Sequence, residues 1–167
     1  MFERFTAEAR GVVVEAKSQA EARGHSSVTT EHLLTVLVDH PGVAGRVLIQ
    51  AGLTRTVLDD SLGIDRAALE YLGIDLEQVL SRTRAMFPDQ SARLPLRGIR
   101  FAAESKKALE LALREAIRLQ HRHIGAEHIM LGILRDQDNR ACRLMVKRDI
   151  SPASLRTSLE TEIRAAS

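Results

Sequence analysis

Residues 4–32 recur, without a gap, as residues 100–128. The identical pairs are Arg4/Arg100, Phe5/Phe101, Ala7/Ala103, Glu8/Glu104, Ala16/Ala112, Ala20/Ala116, His25/His121, Glu31/Glu127 and His32/His128. Apolar positions between them match conservatively, as in Val13/Leu109, Val28/Ile124, Leu33/Ile129 and Leu37/Ile133. After a slip of one residue, Arg46-Val47-Leu48-Ile49 meets Arg143-Leu144-Met145-Val146, and Leu58 meets Leu155. In a duplicated chain each copy is one supersecondary unit that buries its apolar face against its neighbour. The duplication divides the chain into a first copy at 1–62, intervening material at 63–98 and a second copy at 99–167.

Each copy reads as four helices. In the first, Thr6 is placed to cap a helix whose Ala9, Val13, Ala16 and Ala20 recur at helical spacing, and Gly24 ends it. Thr30 reads as the cap of a second helix carrying Leu33, Leu34 and Leu37, with Pro41 as a stop. A third helix runs from about Val43 to Gln50 and ends at Gly52; Thr54 opens a fourth with Val57, Leu58 and Leu62. In the second copy, Ser151-Pro152 sets a capping hydroxyl before a proline at the first helical position. Aromatic residues make up 3% of the chain and Trp is absent, so the core is built from Leu, Val, Ile and Ala. The expectation is an all-α fold of two four-helix repeats.

The intervening segment adds an extra helical pair. Ala68-Leu69-Glu70-Tyr71-Leu72-Gly73-Ile74 resembles Val47-Leu48-Ile49-Gln50-Ala51-Gly52-Leu53, which makes residues 65–87 a half-repeat broken at Gly73. Leu76, Val79, Leu80 and Met86 mark its second helix, and residues 88–98, with Pro88, Pro95 and Gly98, read as a linker.

Charge and motif content exclude several classes. The net charge is +2 despite a pI near 9.0, so cations and anions nearly balance and no nucleic-acid or membrane partner is indicated. No apolar run is long enough to span a bilayer, and Met1-Phe2-Glu3-Arg4-Phe5 lacks a signal-peptide plan, which predicts a cytoplasmic protein. Lys17, Lys106, Lys107 and Lys147 are the lysines, none preceded by Gly, so there is no phosphate loop for ATP. No nucleophile elbow or paired metal-ligand motif is present, so no enzyme activity and no cofactor are expected. Cys142 is single and lies in an amphipathic stretch, which favours a buried thiol.

Phe2-Glu3-Arg4-Phe5-Thr6, Thr30-Glu31-His32-Leu33-Leu34 and Ala126-Glu127-His128-Ile129-Met130-Leu131-Gly132 give the chain a clear resemblance. It resembles the Clp N-terminal (Clp repeat) domain of ClpC-type unfoldase chaperones, here expected as a stand-alone protein without the ATPase ring. The resemblance implies that the two four-helix repeats are related by a pseudo-twofold axis, and that the chain is a module that binds peptides or degrons and modulates a Clp chaperone–protease system. Adaptor, substrate competitor and sequestration of cyclic peptide antibiotics are the roles it allows. The implied partners are peptides, arginine-phosphorylated proteins, Clp ATPases or adaptors, and cyclic peptide antibiotics.

Two surfaces follow from the resemblance. In the first, each repeat holds a phosphorylated arginine: Glu31 and Glu127 stand at the carboxylate position, and Thr6 at the phosphate-side hydroxyl position. Such a site needs an anion for the guanidinium N–H groups and donors for the phosphate. Ala102 and Ala126 replace the threonines in the second copy, so Thr6 with Glu31 is expected to form the tighter site. The ordinary role of Glu31 and Glu127 would be first-turn helix stabilisation. The second surface is a peptide or antibiotic groove where the two first helices should meet, matched by Phe2, Arg10, Val13, Val14, Phe101, Lys106, Leu109, Glu110 and Leu113. Core packing is the plain alternative for its apolar members.

His25/His32 and His121/His128 recur at one separation, yet no cysteine or third ligand completes a zinc set, so no metal is expected. In the family these histidines tie a loop to the second helix. A helical DNA-binding regulator is the alternative reading, from Arg abundance and helix–turn–helix-like pairs such as Val43–Gln50 with Thr54–Leu62.

Overall fold

The computed structural model describes residues 2–61, 71–75, 78, 82 and 98–166; for Phe2, Asp60 and Ser61 it describes backbone alone. The chain divides into two compact units, one made of residues 1–58 with 99–167 and the other of residues 59–98. The first holds both repeats. In the second, Gly73 has φ 72°, the left-handed geometry expected of the break in the half-repeat. The helices expected on either side of that break lie outside the described residues.

Eight α-helices are present among the described residues. The first copy supplies α1 (Ala7–Ala22), α2 (Thr30–Asp39), α3 (Val43–Gln50) and α4 (Arg55–Ser61). The second supplies α5 (Ala103–Arg118), α6 (Ala126–Arg135), α7 (Arg140–Lys147) and α8 (Pro152–Ala165). Helix starts follow local chemistry. Thr6 Oγ1 accepts from Ala9 N–H at 3.1 Å, Asn139 Oδ1 from Cys142 N–H at 2.9 Å, and Ser151 Oγ from Ser154 N–H at 3.2 Å. The cap of α2 is Thr29, one residue before the expected Thr30, because the His32 ring reaches back to Thr29 and closes a capping box.

Helix ends repeat the duplication in backbone geometry. After α1, Gly24 takes φ 69° and His25 N–H bonds the Ala20 carbonyl at 2.9 Å. After α5 the same turn is made by Gln120 at φ 59°, with His121 N–H on the Ala116 carbonyl, also at 2.9 Å.

One core serves both repeats. Ala9, Val12, Ala16 and Ala20 of α1, Leu33, Leu34 and Leu37 of α2, and Ala108, Leu109 and Ala112 of α5 are buried together with Ile129, Leu131, Ile133 and Leu134 of α6. Small residues let backbones approach. A Cβ at Gly132 would lie 2.8 Å from Ala112 N and closer still to the Ala108 carbonyl oxygen, so α6 crosses α5 where only glycine fits. Cys142 is buried, its Sγ 3.4 Å from the Ile133 carbonyl, and burial pushes its thiol up to about 11.

The second repeat also buries a charge. Glu115 is fully buried and accepts from Arg118 Nε, Arg135 Nη1 and Arg156 Nη2, each at 2.9 Å, while Glu160 takes Arg118 at 2.7 Å and Arg156 at 3.2 Å. Burial alone would raise the Glu115 carboxyl; the Arg156 and Arg118 hydrogen bonds outweigh it and hold it below the usual range. The network clamps α5, α6 and α8 together. Its counterpart position in the first copy is Gln19, whose Oε1 is buried without a partner among the described residues.

A two-residue parallel pairing is added to the helical fold. β1 (Ser27–Val28) pairs with β2 (Arg100–Phe101), and Phe5 forms an equivalent bridge with Ile124. Both pairings join one repeat to the other. Phe5 corresponds to Phe101 and Val28 to Ile124, so each is the other with the repeats exchanged. This is the pseudo-twofold relation written in hydrogen bonds.

Candidate functional site

The exchange decides which candidate residues share a site. Thr6 N–H donates to the Ile124 carbonyl at 3.0 Å, and Ile124 N–H to the Arg4 carbonyl at 2.8 Å. In the related place Ala102 N–H donates to the Val28 carbonyl at 2.9 Å. Ile124 lies three residues before Glu127, and Val28 three before Glu31. Thr6 is therefore tied to the Glu127 loop and Ala102 to the Glu31 loop. Thr6 of the first repeat is joined through its backbone to the Glu127 loop of the second, and Ala102 of the second to the Glu31 loop of the first, because the segment before each first helix crosses over to pair.

Histidine pairs hold both loops. Thr29 N–H donates to His32 Nδ1 at 3.0 Å, which leaves the proton of the neutral ring on Nε2, facing His25 Nδ1 at 2.7 Å. Gly125 N–H donates to His128 Nδ1 at 2.9 Å, and His128 Nε2 faces His121 Nδ1 at 2.9 Å. Burial, then the neighbouring His25, Arg23 and Arg140, lower His32 to about 4.

The two junctions differ in detail. At the first, Thr29 Oγ1 lies 2.9 Å from His32 Nδ1. At the second that position is Gly125, and the Glu127 carboxylate folds back over it: a Cβ there would lie 2.6 Å from Glu127 Cδ. Glu127 Oε1 is 3.1 Å from His128 Nδ1. Burial would raise the Glu127 carboxyl, but His128, its own N–H and His121 outweigh that and lower it. Glu31 goes the other way. Burial raises it and Glu104 adds to the rise, against Arg140, His25 and Lys147.

Around Glu31 the second repeat supplies a web of bonds. Glu104 Oε1 accepts from Thr30 N–H at 3.3 Å and Oε2 from Arg140 N–H at 3.0 Å, while Thr30 Oγ1 accepts from Ala141 N–H at 3.1 Å. Around Glu127 the corresponding Glu8 is 72% exposed, its carboxylate 3.8 Å from His40 Nε2. The N-caps of α3 and α6 are Gly42 and Gly125, which have no side chain to cap with, and His40 Nδ1 accepts from Gly42 N–H at 3.1 Å.

The groove candidates differ in burial. Val13 and Leu109 are core residues, Phe101 and Leu113 are half-buried against the core, and Arg10, Val14, Lys106 and Glu110 are exposed. The main packing partners of α1 are α2 and α6, and those of α5 are α6 and α2. Phe2 lies in the 3-10 turn Phe2–Arg4, and its side chain is outside the described residues. Val14, at 67% exposure, is the most exposed apolar member among those described.

The profile of the Clp repeat (R) N-terminal domain matches residues 4–62, 52–147 and 100–166. This chain belongs to that family. It is 32% identical over 160 residues to the chloroplastic chaperone protein ClpC2 of Oryza sativa subsp. japonica, covering 95% of this chain and 15% of that protein. The Clp repeat chain thus spans a small part of the length of such curated relatives. Its fold matches the N-terminal domain of the ClpD chaperone from Arabidopsis thaliana, with TM-score 0.69, 19% identity and coverage of 98% and 97% of the two chains. It also matches the ClpV N-domain in complex with a VipB peptide, with TM-score 0.59, 21% identity and coverage of 95% and 89%. Among the described residues no helix is long and apolar enough to cross a membrane, and no group of three or more His, Cys, Asp or Glu is arranged to hold a metal.

Proposed function

We propose that this Clp repeat chain is a non-catalytic peptide-binding module that modulates a Clp chaperone–protease system and reads phosphorylated arginine. The observation that supports the proposal is the backbone pairing of Thr6 with Ile124, which joins the cap of α1 to the loop of Glu127. A phosphoarginine side chain has two needs. Its guanidinium N–H groups require a carboxylate, for which Glu127 serves, and its phosphate requires donors. The Thr6 O–H, whose oxygen accepts from Ala9 N–H and whose hydrogen remains to be given, supplies one of them. The peptide held by the ClpV N-domain supports peptide recognition on this fold. Cyclic peptide antibiotics would use the exposed Arg10, Val14, Lys106 and Glu110 instead.

The duplex-DNA alternative is weakened by ion pairing. The helix pair α3–α4 offers Arg46 and Arg55, and these face Glu162 and Asp39. Fluorescence anisotropy with one peptide, phosphorylated or not on its arginine, tests the proposal. Binding of only the phosphorylated form supports it; equal binding of both, or tight binding of DNA with a steep salt dependence, refutes it.

A further inference from the structure

We infer that Glu104 is a built-in occupant of the Glu31 junction and keeps that junction closed to phosphorylated ligands. The inference rests on the phosphoarginine reading of the two junctions and adds which of them is open. It starts from one residue type that behaves in two ways at twofold-related positions. Glu104 has a side chain only 19% exposed and bonds the first N–H groups of two helices, Thr30 of α2 at 3.3 Å and Arg140 of α7 at 3.0 Å. The Arg140 guanidinium completes the clasp, its Nε 3.8 Å from Glu104 Oε1. Glu8, the counterpart, is 72% exposed and turned to His40.

The cause lies in the neighbours. The counterpart of Arg140 is Val43, so no guanidinium draws Glu8 inward. The counterpart of His40 is Asp136, which is engaged by Lys107 at 2.8 Å and offers Glu104 no outward partner. A carboxylate held by two backbone N–H groups and a guanidinium takes up the donors a phosphate would use. Being part of the chain, it competes at an effective concentration of roughly millimolar or above. Its charge also repels an incoming phosphate and reinforces the burial effect on Glu31. The open junction is therefore the one with Glu127.

Titration calorimetry of the full chain with free phosphoarginine tests this through stoichiometry. Wild type should bind one equivalent, and Glu104→Ala a second, which Glu31→Ala then removes from the double variant. Should Glu104→Ala melt early, Glu104→Gln carries the test: it keeps the volume and loses the charge, and should gain the same second equivalent more weakly. One equivalent in wild type and in both Glu104 variants overturns the inference and leaves the functional reading standing. No binding by wild type or either variant overturns both.

Discussion

Thr6 gives its backbone N–H to the Ile124 carbonyl at 3.0 Å, and through that bond the cap of α1 joins the loop of Glu127 in the other repeat. The reciprocal bond, Ala102 to Val28 at 2.9 Å, joins the start of α5 to the loop of Glu31. Each candidate junction is thus a seam between repeats. A residue change on one side of the seam should be felt by a ligand contacting the other.

Stability should fall on mild acidification because of His32. Its ring is buried and neutral, accepting from Thr29 N–H, and its pKa is lowered to about 4 from 6.5. The unfolded chain binds the proton first. This contribution is therefore complete above pH 6.5 and is lost as pH falls from 6.5 toward 4, up to on the order of 3 kcal/mol. Urea midpoints at intervals between pH 7.5 and 4.5 should show the decline, and His32→Gln should flatten it. A midpoint unchanged across the window contradicts the argument.

Gln120 should be replaceable by glycine with a gain. At φ 59° it occupies the left-handed turn that Gly24 fills in the first copy. A side chain there costs about 1 kcal/mol, partly offset by the freedom glycine adds to the unfolded chain. Gln120→Gly should raise the thermal midpoint by a few degrees, whereas Gly24→Gln should lower it. The opposite signs would show that side-chain contacts, not backbone strain, govern the turn.

Glu115 should be among the most sensitive positions. Removing the carboxylate leaves Arg118, Arg135 and Arg156 without their shared partner, and breaking such a buried ion group costs about 3–5 kcal/mol. Because the carboxyl is held below the usual range, its contribution is present above about pH 4.5 and is lost as pH falls through the lower folded value. Glu115→Ala should lower the denaturant midpoint strongly at pH 7, and less at pH 3 relative to wild type. A loss under about 1 kcal/mol at pH 7 would mark the network as dispensable.

The helices were legible because their signals are local. Thr6, Asn139 and Ser151-Pro152 open helices through bonds that span three residues, and the apolar stripes need only the helical period. The α2 cap is ambiguous in the sequence, since Thr29 and Thr30 are adjacent and equally capable; the His32 ring selects Thr29. The crossing pairs Phe5–Ile124 and Val28–Phe101 were not legible, because a duplication aligns equivalent residues but does not say whether each segment pairs within its own copy or the other. For the same reason the sequence alone does not say which glutamate loop lies beside Thr6. The Glu115 network was hidden too, since Arg135 and Arg156 reach it from α6 and α8.

The central claim is that phosphoarginine is read at the seam of Thr6 and Glu127. Calorimetric titration of free phosphoarginine at pH 7.5 into wild type, Glu31→Ala, Glu127→Ala and Thr6→Val measures it most directly. A charge-assisted hydrogen bond contributes about 1.5–3 kcal/mol, so Glu127→Ala should weaken binding by roughly tenfold or more. Thr6→Val should weaken it in the same direction, and Glu31→Ala should leave it within about twofold of wild type. Loss of binding in Glu31→Ala with Glu127→Ala unaffected would contradict the account.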